Sequence, residues 1–441
     1  MPHAPAPGPL GHFCAIDFGT SNSAIAIARE GGMRLVPLEG EHLTMPTAVF
    51  YFAEYEGEPL PPGAEQPKAF GRAAVKAYVE GYDGRLMRSM KSILGSQLVE
   101  QTTDVGAGRA VKYLDVITGY LRHLKSRAEA EGGAPLRRAV LGRPVFFVDD
   151  DPARDAQAQA SLEAAAQAVG FSEIAFQYEP IAAAFDYEAQ LVAQGLKEQL
   201  VLVADIGGGT SDFSIVRVGP QRAKRLDRKA DILASHGVHV AGTDFDRRVE
   251  LSSLLRELGY RALGPNRGGA APREVPGAGY FDLATWHLIN TVYSPQRVAE
   301  LKSMTSFYGD PAHHKRLMTV VSERLGHEPA GRAQAAKIAV AEGGEHRIDL
   351  SIVERDLAVS LSEAQAGEAI EGDLQRIVDA AVETTRQAGR STDSIDALYF
   401  TGGSTGLRLL TERLGAAFPQ ARAGRGERLA GVATGLGLYA A

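Results

Sequence analysis

A chain of 441 residues is too long for one ordinary hydrophobic core, so two or more lobes are expected, with ample apolar material to bury. Its 44% hydrophobic and 23% charged residues exclude extended disorder and fibrous repeats, and a formal charge of −7 excludes the broad basic surface that nucleic acid or anionic lipid needs. One cysteine, Cys14 in an apolar stretch, excludes an internal disulfide and reads as buried filler in a protein of a reducing cytoplasm.

Residues 1–11 are rich in Pro, Ala and Gly, with neither a basic start nor an apolar run of signal-peptide length, and read as a flexible tail. No segment approaches the ~20 apolar residues of a membrane helix, so a cytoplasmic protein is expected. From Cys14 an apolar strand runs into Asp17-Phe18-Gly19-Thr20-Ser21-Asn22-Ser23, and the alternating Ala24-Ile25-Ala26-Ile27 returns as the second arm of a hairpin. Ala139-Val140-Leu141 predicts another strand, ended by Gly142-Arg143-Pro144. A helix follows, with Asp151 as N-cap, Pro152 at the first helical position and Val169-Gly170 at its end. Asp149-Asp150-Asp151 has the look of a cation site, but an Asp before Pro is better read as that cap. Glu179-Pro180 opens the next helix.

The pattern then repeats. Val201–Ala204 leads into Asp205-Ile206-Gly207-Gly208-Gly209-Thr210-Ser211-Asp212, and Phe213–Val216 returns. Ala397–Phe400 is a strand ended by Thr401-Gly402-Gly403-Ser404, with a helix from about Ser404 to Leu414-Gly415. This duplication divides the chain into lobe I (12–197) and lobe II (198–441), mixed α/β lobes with helices covering central sheets. Asp17 precedes Gly142 by 125 residues and Asp205 precedes Gly402 by 197, so the second lobe carries the larger insertion. The inserted subdomains are placed at about 43–112 and about 246–360. Within the second, Gly264 to Gly277 reads as an irregular loop, Trp286 as core, and His313-His314 as surface, because adjacent residues point apart.

A glycine-rich turn bearing Thr and Ser lets backbone N–H groups and hydroxyls approach phosphate oxygens closely, since no Cβ stands in the way. Two such turns face to face would clamp a triphosphate. Asp17 and Asp205 would each project into the cleft between the lobes, where hard carboxylate oxygens suit Mg²⁺ held through its waters. One such hairpin alone reads equally well as a plain tight turn; the second copy carries the inference.

In chain order, the Asp17–Ser23 and Asp205–Asp212 turns, Glu179-Pro180-Ile181-Ala182-Ala183-Ala184, Gly242-Thr243-Asp244-Phe245-Asp246 and Gly402-Gly403-Ser404-Thr405 resemble the successive nucleotide motifs of the seventy-kilodalton heat-shock chaperones. The resemblance spans roughly Phe13 to the C-terminus. It implies an actin-like ATPase fold, two duplicated ribonuclease-H-like lobes around a cleft that takes ATP or ADP with Mg²⁺. Gly19, Thr20, Ser21, Asn22, Gly207, Gly208, Gly209 and Thr210 would contact the phosphates. Lys91, Glu179, Asp205, Asp212 and Thr210 would form the catalytic group, with Asp17 and Asp205 on the metal through water. Gly242, Lys337, Gly402, Gly403 and Ser404 would surround the ribose and adenine. Gln334, Ile338 and Gly406 stand where the family has a glutamate and two arginines, which alters the adenine contacts.

The chain stops at Val432–Leu438, which resembles the end of the ATPase domain, so no peptide-binding domain is expected, as in short bacterial relatives of the YegD type. The function this implies is a slowly hydrolysing, nucleotide-dependent conformational switch acting on an unidentified protein partner or client, with no nucleic acid and no membrane. Two other readings share the superfamily: a small-molecule kinase acting on a sugar or acid, and an actin-like filament protein. The kinase would need a catalytic base and an acceptor pocket that the sequence does not reveal.

Overall fold

The computed structural model describes residues 13–29, 32–55, 58–59, 65–106, 108–148, 151–193, 197–223, 225, 227–266, 271–425 and 431–440. The tail at 1–11 and Asp149-Asp150 lie outside these residues.

In the first half, β1 (Phe13–Phe18), β2 (Asn22–Arg29) and β3 (Gly32–Leu35) form a meander, and the short β4 (Met45–Pro46) pairs with β2. Next come β5 (Ala48–Phe52), the small hairpin β6 (Glu54–Tyr55) and β7 (Glu58–Pro59), then β8 (Lys68–Phe70), α1 (Gly71–Val79) and β9 (Gly84–Arg88). The order β8-β5-β9 makes a separate sheet against α1. The hairpin of β10 (Thr102–Asp104) and β11 (Ala110–Lys112) leads to α2 (Tyr113–Gly132), β12 (Arg138–Arg143), α3 (Pro152–Ala168), β13 (Glu173–Tyr178) and α4 (Glu179–Ala193).

The second half repeats the scheme with β14 (Gln199–Ile206), β15 (Ser211–Val218), β16 (Ile232–Val238) and α5 (Gly242–Ser252). A helical insertion follows: α6 (Ala278–Leu283), α7 (Pro295–Ser303), α8 (Pro311–Ser322) and α9 (His327–Ala339), then the hairpin of β17 (Glu345–Asp349) and β18 (Ala358–Ser362). The chain ends on α10 (Glu363–Gln387), β19 (Ala397–Thr401), α11 (Arg408–Ala417), β20 (Arg422–Arg425) and α12 (Gly431–Ala440). The two main sheets have the same topology, β13-β12-β1-β2-β3 and β20-β19-β14-β15-β16. In each, the first strand pairs antiparallel with its hairpin partner and parallel with the strand that returns after a helix. This is the duplicated actin-like fold expected from the repeated motifs.

Alternation along β1 explains how the sheet is sandwiched. Cys14, Ile16 and Phe18 face a core shared with α2 and α3, whereas Ala15, Ala24 and Ala26 face the opposite core, where α4 and α12 pass and where Val201, Val203 and Tyr399 of the second sheet join them. Small residues on that face let helices and both sheets approach closely; a Cβ on Gly435 would collide with the carbonyl of Ala182. The two halves therefore share one core at their base. Cys14 is fully buried and its thiol is pushed up by burial, so it is filler.

Asp151 caps α3 as expected, its Oδ1 accepting from the Arg154 amide, and Gly170 ends the helix at φ +94. Three expectations are corrected. Ser404 does not start an α-helix: Gly403–Gly406 is a 3-10 turn, and α11 begins at Arg408, because the Ser404 hydroxyl is spent on the Gly207 carbonyl and the Arg408 amide on that of Ala341. His314 is buried, with Nε2 3.0 Å from the Leu301 carbonyl. Trp286 is only half-buried, and it is not in the insertion's core. Instead it reaches across to the first half, stacking on Tyr78 at 4.8 Å and lying under the Arg88 guanidinium at 4.5 Å. The Gly264–Gly277 segment is pinched by a Gly264 amide to Arg273 carbonyl bond, with 267–270 outside the described residues.

Candidate nucleotide site

Each main sheet ends its first strand in a glycine-rich turn, and the two turns meet. A Cβ on Gly208 would sit 2.8 Å from the Ser21 hydroxyl, so glycine is what allows the turns to face one another this closely. The first turn is braced from below by Thr47, whose hydroxyl bonds the Gly19 carbonyl at 2.8 Å and the Ser23 hydroxyl at 2.8 Å. The second is closed by the Gly207 amide on the Thr210 carbonyl and braced from behind by α5 and the Gly402 turn. There the Gly242 amide and the Ser404 hydroxyl both donate to the Gly207 carbonyl, while the Thr243 amide and hydroxyl donate to that of Gly208. Gly402, at φ +86, lies so close that a Cβ would strike the Ile206 carbonyl and the Asp205 carboxylate.

Asp17 at the end of β1 and Asp205 at the end of β14 open the two turns. The copies are not identical: Asp205 stands directly opposite Asp212, whereas Asp17 stands opposite Ala24. The first half supplies its second acid from α4, where Glu179 is the first helical residue and Gly142 leaves room for its side chain. Lys91 comes from the 3-10 turn Met90–Ile93, entered through Ser89 in a left-handed conformation at φ +54. Its Nζ meets Glu179 Oε1 at 2.5 Å, both side chains nearly buried.

Among the described residues, four carboxylates thus share one ammonium, with Asp17 and Asp205 deeply buried by the protein around them. Burial, with the Glu179 and Asp205 charges added, pushes Asp17 up to about 8 despite Lys91. Burial, with Asp212 and Glu179, pushes Asp205 up to about 7. Burial also raises Asp212, partly offset by the Thr210 hydroxyl that donates to it at 2.9 Å. For Lys91 burial acts downward, but Glu179 and Asp17 outweigh it and hold the ammonium charged.

This donor set fits a hard divalent cation. Among the described residues no three of these groups converge closely enough to hold a bare ion, so a cation there would be held through its waters. The cleft, about 370 Å³, is lined by Asp17, Gly19, Thr20, Ser21, Asn22, Lys91, Glu179, Asp205, Gly207, Gly208, Thr210, Asp212, Gly402 and Gly403. That volume and the glycine-rich turns on its wall suit a phosphorylated ligand. Gly209, Gly242, Ser404 and Lys337 do not line it. Gly242 and Ser404 act from behind, and the Lys337 Nζ is held by the Gly242 carbonyl at 3.3 Å and by Asp246 at 2.6 Å. Residues that sequence reasoning passed over also face the cleft: Thr401, the strip Pro144–Phe147, and Ser235 to His239 on and beyond β16. Their one signal was position, at or just after a strand end or on and beyond the strand opposite β15.

No helix among the described residues is long and apolar enough to cross a membrane. The Hsp70 protein family model matches residues 13–257, more than half of the chain and the whole span from the first turn to the end of α5. Among curated proteins, the chaperone protein DnaK of Thermosipho melanesiensis is 32% identical over 236 residues, covering 53% of this chain and 34% of that protein. DnaK of Thermotoga neapolitana is 31% identical over 237 residues, with the same shares. The HscA homolog of Pseudomonas paraeruginosa is 32% identical over 265 residues, covering 57% of this chain and 39% of the other. The chain therefore spans only about a third of the length of these relatives. With the family model, the matched turns and the duplicated sheets in agreement, the chain belongs to the Hsp70 family.

Proposed function

We propose that this chain is a slow, Mg²⁺-dependent ATPase that uses nucleotide to set the closure of its two halves. The observation that carries the reading is the Lys91–Glu179 pair, placed within the Asp17, Asp205 and Asp212 cluster and between two glycine turns in contact. The amides and hydroxyls of Gly19–Asn22 and Gly207–Thr210 would hold the phosphates of ATP. Asp17 and Asp205 would hold Mg²⁺ through its waters, and the ion would supply charge neutralisation. Lys91 would offset the charge that develops on the transferring phosphoryl group. Glu179 and Asp212 would orient the attacking water and take up its proton as the bond to ADP breaks. The products are ADP and phosphate.

Closure would be set by two contacts at opposite ends of the cleft. At the base the halves share a core and the buried Glu188–Arg228 pair. At the top Tyr78 and Arg88 on one side meet Trp286 and His327 on the other. A nucleotide gripped by both turns would favour the closed form in proportion to its preference for it. The relatives above are named chaperones; that this chain likewise serves a protein client or partner is part of the proposal.

The test is Mg²⁺-dependent phosphate release from ATP by the pure protein, with Lys91→Ala and Asp205→Asn beside it and a panel of sugars and small acids added. Release abolished in both variants and indifferent to the panel supports the switch. ADP formed without free phosphate, on addition of one panel compound, would overturn it in favour of a kinase.

A further inference from the structure

A second cavity, about 550 Å³ and sharing no lining residue with the nucleotide cleft, opens between the C-terminal end of α5, the start of α10 and β18. One wall carries Arg248, Arg256 and Arg261, all exposed. Arg248 is engaged by the buried Asp373 at 3.1 Å. Arg256 and Arg261 have no carboxylate partner among the described residues; the Arg261 guanidinium lies 5.6 Å from the ring of Tyr260, which also lines the cavity. Of the two acids on the rim, Glu257 is taken by Arg316 at 3.0 Å, which leaves Glu368. On a chain of net charge −7, this is a local excess of unspent positive charge.

The floor is a strand edge. β18 is paired on one side with β17, residue Val359 opposite Ile348 and Leu361 opposite His346, and on its other side no strand pairs with it among the described residues. Val359, Ser360 and Leu361 line the cavity. An open edge presents unpaired backbone donors and acceptors, and a chain laid along it gains main-chain hydrogen bonds about 4.8 Å away. Leu361 is buried in the core and Val359 packs against it, which anchors the strand, while the exposed Ser360 and the arginines face the groove.

We propose that this groove binds an extended acidic peptide segment of a protein partner, added as a third strand on β18 with its carboxylates on Arg256 and Arg261. Charge complementarity selects an acidic sequence, and the open edge selects an extended main chain over a compact anion. The assignment does not depend on nucleotide chemistry in the other cleft.

The experiment is fluorescence anisotropy with the nucleotide-free full chain and a labelled peptide alternating valine and glutamate, beside the same peptide with lysine for glutamate. Saturable binding of the acidic peptide alone is expected, weakened by about tenfold or more in Arg256→Glu/Arg261→Glu. Both positions are exposed, and an unchanged thermal midpoint verifies that the variant is folded. N-methylation of alternate peptide amides, in each of the two registers, should weaken binding in one register only. Absence of binding overturns the proposal. So does binding that is displaced by inorganic phosphate and indifferent to N-methylation, which would make the groove a small-anion site.

Discussion

Two groups of buried charge join the halves of this molecule, and they are built on opposite principles. At the base, Arg228 donates to both oxygens of Glu188 at 2.9 and 3.0 Å and to Asp231 at 2.5 Å, while Arg222 donates to Asp231 and Glu198 at 2.7 Å each. With Arg217 3.8 Å from Glu198, three arginines face three acids, and Glu188 also accepts the Gly219 amide. At the top of the same helix, α4, the cleft sets Asp17, Glu179, Asp205 and Asp212 against one lysine, Lys91, among the described residues. A matched cluster needs nothing further to be stable, whereas an unmatched one costs free energy that a retained proton or an added cation can recover. The difference separates a structural staple from a candidate ligand site without reference to motif.

Breaking the staple should have the largest effect. Arg228→Leu strands Glu188 and part of Asp231 in a dry interior and should lower unfolding free energy by about 3–5 kcal/mol in urea melts. Arg228→Leu with Glu188→Leu should recover part of that loss, because a neutral pair leaves less buried charge uncompensated. Lys91→Ala comes next: phosphate release should fall by about 10²–10³, while the far-UV dichroism stays unchanged.

Relieving the unmatched cluster should act in the opposite direction on stability. Asp205 has a folded value of about 7 against an ordinary 3.8, so between those limits the unfolded chain has lost a proton that the folded chain keeps. Ligand-free stability therefore falls as pH rises from about 4 to about 7, with Asp17 extending the fall to about 8. Asp205→Asn should flatten this slope and raise ligand-free stability at neutral pH by on the order of 2 kcal/mol while abolishing hydrolysis. A variant that is less stable at every pH would show that the acids are matched after all. The smallest effect is expected at the upper contact. Tyr78→Ala removes about 1 kcal/mol of aromatic stacking and should speed nucleotide release roughly fivefold, with a red shift in the emission of Trp286, the chain's one tryptophan.

The comparison also explains what could be read from the chain. Asp17 and Asp205 were legible because strand, acid and glycine turn are local in sequence and occur twice. Lys91 was not: nothing in its own segment distinguishes it from a solvated lysine, and only the family resemblance singled it out, since its partner Glu179 lies 88 positions away. The staple was missed for the same reason, as Glu188 and Arg228 are 40 positions apart and neither sits in a motif. Trp286 was read as core because a large aromatic in a helical insertion is ordinarily buried; its partners Tyr78 and Arg88 belong to the other half. Local chemistry gave the turns and caps, and long-range pairing supplied the rest of the cleft.

The most direct test of the unmatched cluster is calorimetry of ADP binding with and without Mg²⁺ near pH 7, in buffers of different ionisation enthalpy. The account predicts Mg²⁺-dependent binding accompanied by release of about one proton, as Asp17 and Asp205 return toward ordinary carboxylate values. Binding that is indifferent to Mg²⁺ and releases no proton would contradict it.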